Sequence, residues 1–156
     1  MPFFVLITRS NIMKKIAFAC DHAAYEVRKS ILNLLSNHGY DVLDFGTEGS
    51  ESVDYPDHVH PFAKAIIEGE ANMGVLVCGS GNGVAMTANK YQDIRAALCW
   101  NKEVAELARL HNNANVIALP ARFVSEKDLL GMIEVFIATD FEGGRHGRRV
   151  DKIACS

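Results

Sequence analysis

Short apolar runs alternate with segments of helical spacing along almost the whole chain, and this alternation is what most restricts the fold. Residues 15–20, 41–45, 74–78, 94–99 and 115–119 are each rich in Val, Ile, Leu, Ala, Phe or Cys. Residues 25–38, 59–68, 84–90, 102–111 and 125–138 repeat apolar positions at helical spacing. Strands that are apolar rather than strictly alternating are buried on both faces, and parallel sheets covered by crossover helices bury them that way. The expected fold is therefore α/β: a three-layer α/β/α sandwich with a five-stranded parallel sheet, Rossmann-like in character. Gly39 suits the end of the first helix, Pro61 is tolerated in the first turn of the second, and Ser125 with Asp128 suits the start of the last. Residues 46–57 read as a turn-rich connection.

At 156 residues, 49% of them hydrophobic, the chain is long enough for one well-cored domain, expected over residues 13–156. The twelve residues before Met13 hold an apolar run too short for a signal peptide or a membrane span, and read as a disordered extension. A formal net charge of −3 argues against a general nucleic-acid binder, so an anionic ligand must meet a local basic cluster. Cys20, Cys78, Cys99 and Cys155 show no CxxC spacing and read as reduced cytoplasmic thiols, with no metal and no cofactor expected.

In open parallel sheets ligands bind at the carboxyl ends of the strands. The residues there are Asp21-His22, Gly46-Thr47, Cys78-Gly79-Ser80-Gly81-Asn82-Gly83 and Pro120-Ala121-Arg122. The glycine-rich run is the most informative, because it follows a strand and precedes a helix, so that backbone N–H groups can converge on an anion in front of the helix dipole. It is neither a Walker A loop nor the usual dinucleotide fingerprint. Cys78 at its mouth could be a small buried hydrophobe, yet the same amides and dipole favour a thiolate, which makes it a candidate base or nucleophile beside an anion hole. Cys20 and Cys99 lack such a turn and read as core. Asp21 could simply cap a helix, and His111-Asn112-Asn113 could simply end one, while a histidine there could also move protons. Arg145, Arg148 and Arg149 cluster after Gly143-Gly144, as a solvated tail or as a phosphate grip.

Taken in order, Asp21-His22-Ala23, Gly46-Thr47, Asp54-Tyr55-Pro56, Cys78-Gly79-Ser80-Gly81, Ala88-Asn89-Lys90, Ile94-Arg95-Ala96-Ala97, His111-Asn112, Asn115-Val116 and Glu142-Gly143-Gly144-Arg145-His146 with Arg149 resemble the ribose-5-phosphate isomerase type B family, which includes isomerases of galactose and allose 6-phosphates. The resemblance runs from Met13 to about Ile153. It implies sheet order 2-1-3-5-4 and metal-independent interconversion of an aldose phosphate and a ketose phosphate, D-ribose 5-phosphate and D-ribulose 5-phosphate first among them. By position, Cys78 would take the proton from C2, and the enediolate would be held by amides from Gly79 to Gly83, including Gly81, with the Ser80 hydroxyl assisting. His111 would open the furanose ring, helped by Asp21. Tyr55 and Asn112 would line the sugar site, and His22, Arg122, Arg145 and Arg149 would grip the phosphate. The resemblance also implies a homodimer with sites shared between chains, leaving open whether dimers pair into tetramers.

Three features depart from the family pattern: Asn82 at an often apolar position, the extra charge of Arg148, and the first twelve residues. Asn82 could bond a sugar hydroxyl or stabilise a left-handed turn, and the turn is the favoured reading. The alternatives are the same chemistry on a 6-phosphate hexose and a non-catalytic phosphometabolite-binding module. A redox-sensing thiol protein is a weaker third, since no second cysteine lies near Cys78 in sequence.

Overall fold

All four strand pairings in the sheet are parallel, and the strand order is β2-β1-β3-β5-β4. This is a computed structural model that describes residues 13–155; the expected extension over residues 1–12 lies outside the described residues. The elements are β1 (Lys14–Cys20), α1 (Tyr25–Asn37), β2 (Tyr40–Asp44), α2 (Tyr55–Ile67), β3 (Met73–Cys78), α3 (Asn82–Ala88), β4 (Ala96–Leu98), α4 (Lys102–Leu110), β5 (Val116–Pro120), α5 (Glu126–Ala138) and α6 (Arg145–Val150). Because side chains alternate across a strand, β1 sends Ile16, Phe18 and Cys20 to one face and Ala17 and Ala19 to the other. The first face packs on α1, α4 and α5 through Ile31, Leu35, Ala105, Ala108, Leu129 and Ile133. The second packs on α2 and α3 through Val59, Phe62, Ala63, Val84 and Ala88. Each fully buried Leu, Ile or Phe contributes ~1.5–3 kcal/mol of burial, so two such faces stabilise the three-layer, Rossmann-like α/β fold from both sides.

Helix ends follow the expected local chemistry. The Ser125 hydroxyl accepts from the Asp128 N–H at 3.1 Å and caps α5. Gly39, at φ 85, follows the His38 cap of α1. Asn113, at φ 46, turns the chain after α4 and is the one non-glycine residue with positive φ among the described residues.

Two expectations need correction. The second helix starts at Tyr55 rather than at residue 59, so Pro61 lies inside it and Pro56 takes the first-turn position. Burial of Val59, Phe62, Ala63 and Ile66 against the sheet outweighs the one backbone bond that Pro61 cannot make. The arginine cluster after Gly143-Gly144, for which no helix was expected, is the helix α6, entered through Gly143 and Gly144 at φ 72 and 57.

Candidate active site

Cys78 is the last residue of β3, opposite Pro120 of β5, and its side chain belongs to the α2/α3 face, where the residue is only 5% exposed. The chain then turns sharply. Gly81 stands at φ 78, and a side chain there would put a Cβ 2.5 Å from Leu98 Cδ1 and 3.1 Å from the Leu119 carbonyl carbon, so only glycine fits. This turn brings the Gly81 N–H to within 3.1 Å of Cys78 Sγ, where it donates. An amide aimed at sulfur stabilises negative charge there. The Asn82 N–H donates to Ser80 Oγ at 3.3 Å, and α3 begins at Asn82, leaving its first amides without intrahelical partners. Asn82 is therefore helical, and the left-handed position expected for it belongs to Gly81, because the tight approach to Leu98 and Leu119 admits no side chain.

The strands on either side of β3 bring the neighbouring rim residues to this turn. The Asp21 N–H donates to the Val77 carbonyl at 3.3 Å, and the Asp21 carboxylate, 6% exposed, accepts from the Ala23 N–H at 2.9 Å, capping the short 3₁₀ turn at residues 22–24. The capping role weighed for Asp21 is thus present, and the residue also lies beside Cys78. His22 Nδ1 accepts from the Val53 N–H at 3.2 Å, which turns Nε2 into the ring's free edge. From β5, the Ala121 and Arg122 N–H groups donate to the carbonyls of Cys78 and Gly79 at 2.9 and 3.0 Å, and the Arg122 side chain lies over Gly79. Tyr55, at the start of α2, lays its ring against Gly83. One rim thus holds Asp21, His22, Tyr55, Cys78 through Gly83, and Arg122. Cys20 and Cys99 are core thiols, pushed up by burial to about 11 and about 12, and stay protonated near neutrality.

His111, Asn112, Arg145 and Arg149 are elsewhere. His111 caps the C-terminal end of α4, just before Asn115, whose carbonyl accepts from the Gly74 N–H at 2.9 Å beside the start of β3. This is the amino end of the strands, about 13 Å from Cys78 along β5 at the usual rise per residue. The Glu142 N–H donates to the Leu110 carbonyl at 3.2 Å, which pins the segment before α6 onto the end of α4. As a result the His111 and His146 rings stack at 4.2 Å between centroids, with their Nε2 atoms 3.7 and 4.0 Å from one Glu142 carboxylate oxygen. Asn112 lines a cleft of about 370 Å³ with Asn89, Tyr91, Arg95 and Cys155. Sequence reasoning did not assign Glu142 or His146 a role. The signal was their i,i+4 spacing within Glu142-Gly143-Gly144-Arg145-His146.

Burial, then the neighbouring His111 and the charge of Arg145, hold the His146 imidazole below its ordinary value. Protonation is thus easier in the unfolded chain, which binds more protons just below the ordinary histidine value, so the stability this group contributes is present above that value and fades as pH falls through it. The thermal midpoint should therefore fall as pH is lowered from 7.5 to 5.5, and it should fall less in His146→Gln, a difference that calorimetric scans across that range would measure.

The family described as Ribose/Galactose Isomerase matches residues 16–153. The ribose-5-phosphate isomerase B of Escherichia coli is 40% identical over 141 residues, covering 90% of this chain and 95% of that protein. A ribose 5-phosphate isomerase from Thermotoga maritima superposes with a TM-score of 0.87 at 45% identity, covering 90% of this chain and 97% of that one. The type B enzyme of Leishmania infantum gives 0.86 at 41%, covering 91% and 95%. The chain belongs to the ribose/galactose isomerase family and is a sugar-phosphate isomerase.

Proposed function

We propose that the substrate pair is D-ribose 5-phosphate and D-ribulose 5-phosphate, interconverted through an enediolate with Cys78 as the base. The observation that carries this reading is the thiol held by the Gly81 amide at the mouth of a glycine turn, on the same rim as Asp21 and Arg122. In the forward direction His111 takes the proton from the anomeric hydroxyl as the bond between C1 and the ring oxygen breaks. Asp21 assists at that ring oxygen, which takes up a proton from solvent in exchange for the one His111 releases, and the open aldehyde results. The Cys78 thiolate then removes the proton on C2. Charge moves onto O1, where the amides of the turn and the Ser80 hydroxyl stabilise it. Return of that proton to C1, with transfer of the O2 proton to O1, gives the ketose. Tyr55 and Asn112 flank the sugar, and His22, Arg122, Arg145 and Arg149 hold the phosphate.

In this mechanism a homodimer supplies the missing half of each site. Within one chain His111 and α6 lie at the opposite end of the sheet from Cys78, so the His111 group that serves one thiol comes from a second copy of the chain. The names of the relatives support the pentose phosphate. A 6-phosphate hexose is the second reading, because the family description includes galactose isomerases. Chelator-treated protein assayed on D-ribose 5-phosphate, D-allose 6-phosphate and D-galactose 6-phosphate should form ketose fastest from the pentose. Turnover confined to a hexose phosphate would keep the mechanism and overturn the substrate, whereas binding without turnover on all three would favour the phosphometabolite-binding module.

A further inference from the structure

Among the described residues the His111 ring makes no hydrogen bond: it stacks on His146 at 4.2 Å and stands 3.7 Å from the Glu142 carboxylate. Its direction is therefore set chiefly by the backbone that carries it. One pair of residues closes that backbone on itself. The Asn113 N–H donates to the Arg109 carbonyl at 3.2 Å, and Arg109 Nη1 donates in return to Asn113 Oδ1 at 3.2 Å, so the two bracket His111 in sequence. Arg109 Nη1 also donates to the Ala114 carbonyl, and Nε donates to the Thr139 carbonyl at 3.0 Å, at the end of α5. The half-buried guanidinium lies 5.6 Å from the centre of the Phe136 ring. Asn113 stands at φ 46, a conformation that a non-glycine residue keeps only where its surroundings over-determine it. Asparagine tolerates that backbone and also offers Arg109 an oxygen. Arg95 Nε holds the same residue from its other side, donating to the Asn113 carbonyl at 2.9 Å. A planar fork can join three acceptors at once, which a lysine ammonium on the same stem does not reproduce.

We infer that Arg109 is a positioning residue for ring opening: its grip on Asn113, Ala114 and Thr139 holds the turn that aims His111. The inference rests on the role proposed above for His111, through which Arg109 acts without itself touching the sugar.

Two readouts separate this role from a purely structural one. Ribulose 5-phosphate carries its phosphate on the C5 oxygen and cannot close a furanose ring. Exchange of its C1 hydrogen with D₂O therefore needs the Cys78 step but no ring opening, whereas turnover of ribose 5-phosphate needs both. Arg109→Lys and Asn113→Gly, the second keeping the positive φ and losing the acceptor, should lower kcat on ribose 5-phosphate by roughly 10–10²-fold, the cost of a misplaced reacting group, with exchange within about twofold of the wild type. Asn113→Asp keeps an acceptor oxygen and should stay within about threefold of the wild type in kcat. Arg109→Lys added to His111→Ala should lower kcat by no more than about twofold beyond His111→Ala alone. Thermal midpoints check folding, and Asn113→Gly decides alone if Arg109→Lys melts below the assay temperature. Turnover and exchange lost in parallel, undiminished turnover in Asn113→Gly, or a larger further fall in the double variant would overturn the role. Wild-type protein that neither turns over ribose 5-phosphate nor exchanges ribulose 5-phosphate would instead overturn the proposed activity, and undiminished turnover in His111→Ala the part proposed for His111; the role of Arg109 falls with either.

Discussion

Cys78→Ala should lower kcat on ribose 5-phosphate by about 10³-fold, the middle of the range for loss of a positioned proton-transfer group, while KM changes little. The split follows from geometry. The sulfur is almost buried and is proposed to act at the reacting carbon, whereas the groups proposed to hold the phosphate, Arg122 among them, are untouched by the change. Removing one sulfur from this position should alter stability by only about 1 kcal/mol, so denaturant unfolding separates lost chemistry from lost fold. Cys78→Ser is the sharper variant. It keeps the size and the hydrogen-bonding position opposite the Gly81 amide but replaces the thiol with a hydroxyl that does not ionise near neutral pH. Its activity should fall nearly as far as that of Cys78→Ala. A serine variant within about tenfold of the wild type would mean that some other group removes the proton.

Gly81→Ala should damage both the fold and the chemistry. Gly81 occupies a left-handed conformation that costs an alanine ~1–2 kcal/mol, and the added carbon would meet Leu98 and the backbone of Leu119 and Pro120. Together these should lower unfolding stability by roughly 3 kcal/mol, read from denaturant midpoints. The catalytic loss should be larger than the stability loss suggests. Moving this residue withdraws the amide from Cys78 and tilts the start of α3, so a further ~10²-fold fall in kcat is expected in protein that is still fully folded. An alanine variant with wild-type kcat at a temperature where it is folded would show that the turn only packs and does not stabilise charge.

The sheet was legible in the sequence because its strands are buried on both faces, which makes runs such as residues 74–78 apolar throughout and easy to separate from amphipathic helices. Cys78, Asp21 and Arg122 could be placed on one rim for the same reason: they stand at or just past the carboxyl ends of β3, β1 and β5, which are adjacent in the sheet. The start of α2 was hidden because Tyr55-Pro56-Asp57 has turn-like composition, and its helical state depends on burial of residues several positions later. Asn82 was misplaced because Asn and Gly both tolerate left-handed backbone. Only the contact with Leu98 and Leu119, distant in sequence, assigns that conformation to Gly81. The group at His111 was the least legible part. It needs the chain to turn through two glycines with positive φ and then lay a short helix against the end of α4, an arrangement that the i,i+4 spacing of Glu142 and His146 does not by itself specify.

Mixing two inactive variants tests the shared site most directly. Cys78→Ala and His111→Ala, each purified, would be combined in equal amounts, unfolded, refolded together and assayed on ribose 5-phosphate. If each site takes its thiol from one chain and its histidine from another, half of the dimers are mixed and each of these holds one intact site, so activity should return to about a quarter of the wild-type level. Activity no higher than the sum of the two variants, from a mixture shown to contain the mixed dimer, would contradict a site completed by a second copy of the chain.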